Sequence, residues 1–152
     1  MKSSELFSRL KKDMEKYKSR MEQVKERNNK ESNSTRSIMS RYNLENFNEI
    51  VNSSFEGPDE EIPEEKLKDF QDRIDHFFSL HFPDDEDFQE FIKAISTYLT
   101  FIAKKPLHPP GIVFSNQKDV YKKDNVYHCS GKPIFIKDKF SLCKYCACRS
   151  ST

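Results

Sequence analysis

All four cysteines of the chain fall within its last 24 residues, at Cys129, Cys143, Cys146 and Cys148. A thiolate is a good ligand for zinc or iron, and Cys143-Lys144-Tyr145-Cys146 has the C-x2-C spacing that lets one turn offer two sulfurs to one ion. Cys129 adds a third sulfur fourteen residues upstream. A tetrahedral centre needs a fourth donor, and three residues compete for that place. His108 lies in Leu107-His108-Pro109-Pro110-Gly111, where two prolines stiffen the backbone and reduce the freedom lost on binding. Cys148 stands two residues past Cys146, on the same face of an extended strand, and crowds a tetrahedral ion. His128 adjoins Cys129, and neighbouring strand residues point to opposite faces. The order of preference is His108, then Cys148, then His128. The expected ligands are therefore His108, Cys129, Cys143 and Cys146, with zinc as the metal. An iron–sulfur cluster is the alternative that four cysteines can supply.

Other chemistry fits the same residues less well. Disulfides need an oxidising compartment, and the opening MKSSELFSRLKK has no apolar stretch of the leader type, so a cytoplasmic protein is expected. A redox C-x2-C is usually preceded by a βαβ pattern, which the sequence lacks. A hydrolytic zinc site keeps an open position and a base; there is no H-E-x-x-H, and no Glu lies beside the proposed ligands. A closed structural site is expected, against the plainer alternative of four thiols without metal. Ser130-Gly131-Lys132-Pro133 is not a phosphate loop, because the glycines before it are missing. Asp72, Asp75 and Asp85 read as a solvated acidic face. His81 falls on an apolar stripe and is expected to be packed or half-buried.

The elements that must hold this tail are helical. Leu6, Leu10, Met14, Tyr17, Met21 and Val24 recur every three or four residues, one stripe of a 3.6-residue period. Residues 28–36 are polar weak helix formers and mark a turn. A second helix is expected from about Thr35 to Asn52. Residues 53–63 contain Gly57-Pro58 and read as a linker, and Pro63 is placed to open a third helix. Its apolar positions run from Leu67 to Phe78, and Pro83 ends it at or before Phe82. Asp84 is the candidate cap of a fourth helix, whose face is Phe88, Phe91, Ile92, Ile95, Tyr98, Leu99 and Ile102. The fold expected is mainly α: a bundle-like helical body, residues 1–105, with a small irregular or β metal knuckle, residues 106–152, packed on it. Short extended pieces are expected at Ile112–Phe114, Val120–Tyr121, Val126–His128 and Ile134–Phe135, with a turn at Asp124-Asn125.

Charge is distributed in blocks. Residues 1–55 carry 12 basic and 8 acidic groups, residues 56–105 carry 6 and 14, and residues 106–152 carry 8 and 3. The basic tail suits either a phosphate backbone or the chain's own acidic middle. Tyr127, Phe135, Phe140 and Tyr145 alternate with Lys132, Lys137, Lys139 and Lys144, a pattern open to nucleic-acid stacking or to packing on the helices. No run approaches the roughly 20 apolar residues of a membrane span.

The series PLHPPGIVF, VYHC and SLCKYCA resembles the C-terminal region of a family of small, uncharacterised archaeal proteins known mainly from methanogens, UPF0305 or DUF2115. The family elements fall on His108, Pro109 and Gly111, on Tyr127, His128 and Cys129, and on Cys143 and Cys146. Cys148 is extra to that pattern. The resemblance implies the site and an archaeal cytoplasm, and carries no reaction. The function expected is a non-enzymatic module for an as yet unidentified protein partner, braced by a structural metal. Weak nucleic-acid binding through the tail is the alternative, and a metal-dependent or redox enzyme comes third.

Overall fold

The computed structural model describes residues 1–27 and 34–151. The Val24 side chain and most of the turn expected at 28–36 lie outside what is described. Helix α1, Ser3–Met14, runs through a 3-10 turn at Glu15–Tyr17 into α2, Lys18–Arg27. It buries Leu6, Leu10, Met14 and Tyr17, the stripe set by the sequence period, and adds Phe7. Helix α3 spans Thr35–Asn52, and the Ser34 hydroxyl caps it by accepting from the Ser37 amide. Helix α4 spans Glu64–His81 and stops before Pro83, as the steric demand of that proline requires. Helix α5, Glu86–Thr97, continues into a π-helical turn, Tyr98–Ala103. That turn closes with Lys104 in the left-handed region and the Lys105 amide bonded to the Leu99 carbonyl.

Helices α1, α3 and α4 each pack against α5. Their shared core includes Met14, Phe47, Ile50, Phe70, Ile95 and Leu99, each essentially without solvent contact. The linker is not free. The Ser3 amide donates to the Glu60 carbonyl at 2.8 Å and the Ile62 amide to the Met1 carbonyl at 2.8 Å, so the acidic strip lies along the chain's start. Asp59 accepts from the Ser4 amide and both Ser3 and Ser4 hydroxyls, which holds its carboxyl below the usual range.

The tail forms a three-stranded sheet in the order β1-β2-β3: Val120–Lys123, Val126–Cys129 and Arg149–Ser150. Strands β1 and β2 are antiparallel, and Asp124 and Asn125, both at positive φ, make the two-residue turn between them. Strand β3 runs parallel to β2. Three local expectations are corrected. Ile134–Phe135 lies in a short helix, α6 (Lys132–Phe135), because Pro133 sits in its first turn and the Phe135 amide bonds back to Gly131. The cap of α5 is Asp85, not Asp84; the Asp85 carboxylate accepts from the Phe88 amide at 3.1 Å. His81 is exposed, because the buried face of α4 follows Leu67, Phe70, Ile74 and Phe78, and His81 falls on the flank of that line beside Phe77.

Candidate metal centre and groove

The tail is held to the body by specific contacts. Tyr42 of α3 donates to the Pro106 carbonyl at 2.6 Å, fixing the start of the Leu107–Gly111 loop. Gly111 turns that loop at φ 98°, a conformation that side chains with a Cβ resist, and its amide donates to Val120 at 3.0 Å. Arg73 of α4 donates to the Ser141 carbonyl at 2.7 Å and stacks its guanidinium near the Tyr145 ring. Tyr145 packs edge-on against Phe70 at 5.5 Å, and His76 stacks on Phe140 at 3.8 Å.

Between α4 and the tail lies an apolar groove of about 930 Å³. One wall carries Phe77, Leu80, Phe82 and Phe88. The tail contributes Ile134, Phe135 and Phe140, and His108, Cys129, Cys143, Cys146 and Cys148 also line the groove. Several of these large apolar groups are strongly exposed, Leu80 most of all at 65%. An apolar patch of this kind on a folded chain marks a binding surface more often than chance decoration.

All four cysteines are free thiols. Cys129 and Cys148 are buried together with Ile112 and Val120 in a second small core, and Cys146 packs against it. Polar neighbours, the Cys148 thiol first and then the amides of Leu107 and Cys148, draw the Cys146 pKa below the ordinary thiol range, while the adjacent Cys146 and burial drive the Cys148 pKa upward. Burial raises the Cys143 pKa, partly opposed by a hydrogen bond from Ser141. Lys132, at the start of α6, donates to the Cys146 carbonyl at 3.1 Å and the Cys148 carbonyl at 2.6 Å, and its charge favours thiolate at Cys143, Cys146 and Cys148.

His108 lines the groove and is exposed to solvent on one side. Its ring meets Phe114 edge-on at 5.1 Å, and loss of water lowers its pKa, favouring the neutral form that ligates metals. His128 goes elsewhere. It pairs with Tyr121 across the hairpin and stacks on that ring at 5.1 Å, on the face of β2 opposite Cys129. Among the described residues, no group of three or more His, Cys, Asp and Glu side chains stands close enough to hold a metal ion as the side chains lie.

The lining of the groove thus includes the four donors expected from the sequence, together with Cys148, without bringing three of them within reach of one ion. The sequence does not bring out the aromatic walls as one surface, because Phe77 and Phe88 share the helical period of their buried neighbours. Tyr145 and Phe135, both half-buried, pack edge-on against Phe70 and Phe114.

The model of the family described as "Uncharacterized protein conserved in archaea (DUF2115)" matches residues 2–151. A UPF0305 protein of Methanocaldococcus jannaschii is 43% identical over 113 residues, covering 74% of this chain and 68% of the relative. A UPF0305 protein of Methanothermobacter thermautotrophicus is 35% identical over 81 residues, 53% of this chain and 49% of the relative. A third, from Methanococcus maripaludis, is 32% identical over 91 residues, 60% and 55% of the two chains. The chain therefore spans about half the length of the second and third relatives. No solved structure matches the chain.

Proposed function

The chain belongs to the archaeal family DUF2115, also named UPF0305, and on that premise we propose that it is a metal-braced binding module whose apolar groove receives a segment of a protein partner. The observation that supports this reading is that four reduced thiols and His108 line one groove together with exposed aromatic side chains. Zinc is the metal that suits such donors. It binds thiolate and neutral imidazole without redox chemistry, and it cross-links loops too small to build a core. Cys129, Cys143 and Cys146 are the thiolate ligands, with His108 as the fourth donor foreseen from the sequence. An iron–sulfur cluster is the other occupant four cysteines allow. Such a site persists in reducing surroundings, and the cytoplasm provides them.

The partner is a protein segment with apolar side chains. Phe77, Leu80, Phe82 and Phe88 present large apolar surface to solvent on one wall, the composition of an interface core. No helix among the described residues is long and apolar enough to cross a membrane.

Two measurements test the reading. Elemental analysis of protein purified without added metal is expected to give about one zinc per chain; neither zinc nor iron at that level removes the metal from the proposal. A photo-crosslinking residue at Leu80 is expected to capture one discrete protein in the native host, lost with Phe82→Glu. Crosslinking that is diffuse or insensitive to Phe82→Glu removes the groove as the docking surface.

A further inference from the structure

We infer that the groove selects a partner segment that is apolar along its length and basic at one end, with that end lying over the turn between α4 and α5. The inference rests on the docking reading of the groove given above and names the chemistry of what docks there.

The apolar part of the site is a connected surface. Eight large apolar residues stand exposed among the described residues, and six of them line this groove: Phe77, Leu80, Phe82, Phe88, Ile134 and Phe140. Three form a row of neighbouring rings. Phe77 lies 6.3 Å from Phe82, and Phe82 lies 5.6 Å from Phe88. Phe78 is only 2% exposed and lies 5.6 Å from both Phe82 and Phe88. A buried ring in contact with two exposed ones fixes their positions, so little side-chain freedom remains to be lost when a partner covers them. A concave apolar surface of this kind fits the apolar face of an amphipathic helix, whose anchors recur at three- and four-residue intervals.

The two ends of the groove differ in charge. Between Phe82 and Phe88 the chain reads Pro83-Asp84-Asp85-Glu86-Asp87, and all four acids are exposed. The flanking rings both line the groove, so the acids border its end. Two of them are engaged. Asp85 accepts from the Phe88 amide, and Asp87 pairs with Arg20 at 3.4 Å. Asp84 and Glu86 make no ion pair among the described residues. Carboxylates left without a counter-charge beside an apolar docking face favour a partner that brings cations to them.

At the other end Phe140 stacks on His76 at 3.8 Å. The exposed cations there are Lys137 and Lys139, with the Lys139 ammonium 5.0 Å from the centre of the Phe140 ring. Asp138, between them, accepts from the Phe140 amide at 2.9 Å. His76 and Phe82 are six residues apart, about 9 Å along the axis of α4. The polarity of the rim therefore reverses within about two helical turns. A segment basic throughout meets the two lysines, and a segment acidic throughout meets Asp84 and Glu86. Like charges brought together are penalised, so the rim fixes both the partner's charge pattern and its direction.

The test is selection from a random peptide library displayed on phage, panned against the immobilised full chain. Enriched peptides are expected to combine apolar residues at three- and four-residue spacing with Lys or Arg gathered at one end. A synthetic peptide of the consensus sequence is then titrated against the chain by fluorescence anisotropy. Its affinity is expected to fall about tenfold in Asp84→Lys/Glu86→Lys, and to return when the peptide's Lys and Arg are exchanged for Glu. Asp84→Asn/Glu86→Gln, which only removes charge, is expected to give a smaller loss. Both positions are exposed, so the variants are expected to keep the wild-type circular dichroism. Enriched peptides that need Phe82 but carry no basic end, or a consensus peptide indifferent to the charge reversal, overturn the inference and leave the docking reading standing. No enrichment, or peptides that bind Phe82→Glu as well as wild type, remove both. Sedimentation of the wild-type chain tests the remaining occupant: a dimer dissolved by Leu80→Glu puts a second copy of the chain in the groove and overturns the assignment to a basic-ended segment.

Discussion

The phenol of Tyr145 donates a hydrogen bond to the carboxylate of Asp69, 76 residues earlier in the chain. Asp69 also accepts from Arg73 at 3.0 Å on its own helix and pairs with Lys144 at 3.3 Å. One carboxylate on α4 therefore gathers two groups from the C-x2-C turn, while the Tyr145 ring packs on Phe70 and Phe101 beneath it. Lys144 is thus paired within the fold, the inward docking that the acidic middle made possible.

This arrangement sets a pH dependence. The Tyr145 hydrogen bond first, then those from Arg73 and Lys144, hold the Asp69 carboxyl down at about 2. A group whose pKa is lowered by folding stabilises the fold above its ordinary value, about 4, and loses that contribution as pH falls through the folded value. Docking of the tail is expected to weaken between about pH 4 and pH 2. Tyr145→Phe keeps the ring and removes the donor, so release is expected at a higher pH than in wild type. Two-dimensional NMR across an acid titration reads it, and an unchanged midpoint in Tyr145→Phe removes Asp69 as the controlling group.

Phe70 lies where the body core and the tail meet. It has no solvent exposure, meets Phe101 edge-on at 5.2 Å and supports Tyr145 at 5.5 Å. Phe70→Ala is expected to cost about 3–5 kcal/mol, the range for a buried aromatic replaced by a cavity. Ile134→Ala, at a half-exposed groove position, is expected to cost well under about 1 kcal/mol. Urea denaturation compares the two, and similar losses contradict the division between core and groove.

Gly131 is small because of a neighbour, not because of its backbone. Its φ of −80° is open to any residue, but an added Cβ stands 2.5 Å from the Phe135 ring. Gly131→Ala is expected to turn that ring off Phe114 and to destabilise by about 1–3 kcal/mol. Phe135→Leu in the same chain is expected to recover part of the loss. Thermal denaturation of the single and double variants checks this; equal stability of Gly131→Ala and wild type contradicts it.

How far these features can be read from the sequence follows the range of the forces behind them. The bounds of α3 and the end of α4 are local, set by a cap at Ser34 and the ring of Pro83, and both are legible. The hairpin is legible because Asp124-Asn125 tolerates the left-handed turn that joins two short apolar runs. Ile134–Phe135 misleads because two apolar residues have no period, and the Gly131 carbonyl decides for a helix. The π turn after Thr97 leaves the apolar spacing of α5 almost unchanged and is invisible to it. The sequence brings out the cysteines that line the groove by type and spacing. Their neighbours on the walls are set by how α4 and the tail approach one another, a tertiary relation no window of residues contains.

The last prediction concerns phosphate. Residues 106–152 carry 8 basic against 3 acidic groups, and lysines alternate with aromatic residues toward the end of the chain. Much of that pattern is occupied. Lys144 pairs with Asp69, Lys132 is bound to two carbonyls, and the Tyr145 and Phe135 rings pack edge-on against Phe70 and Phe114. Lys137 and Lys139 stand exposed, and Lys139 lies over the Phe140 ring. Two cations contacting single-stranded nucleic acid give a salt slope of only about −1.4, where a committed binder shows several times that. Binding to RNA or single-stranded DNA is therefore expected to be weak, indifferent to sequence and lost near about 0.2 M salt. Fluorescence anisotropy over a salt series, with Lys137→Ser/Lys139→Ser beside the wild type, measures both slope and affinity. Sub-micromolar binding at physiological salt that collapses in the double variant would overturn the protein-docking reading of the groove in favour of a nucleic-acid partner. A shallow slope with binding confined to low salt leaves the two lysines as ordinary solvated charges.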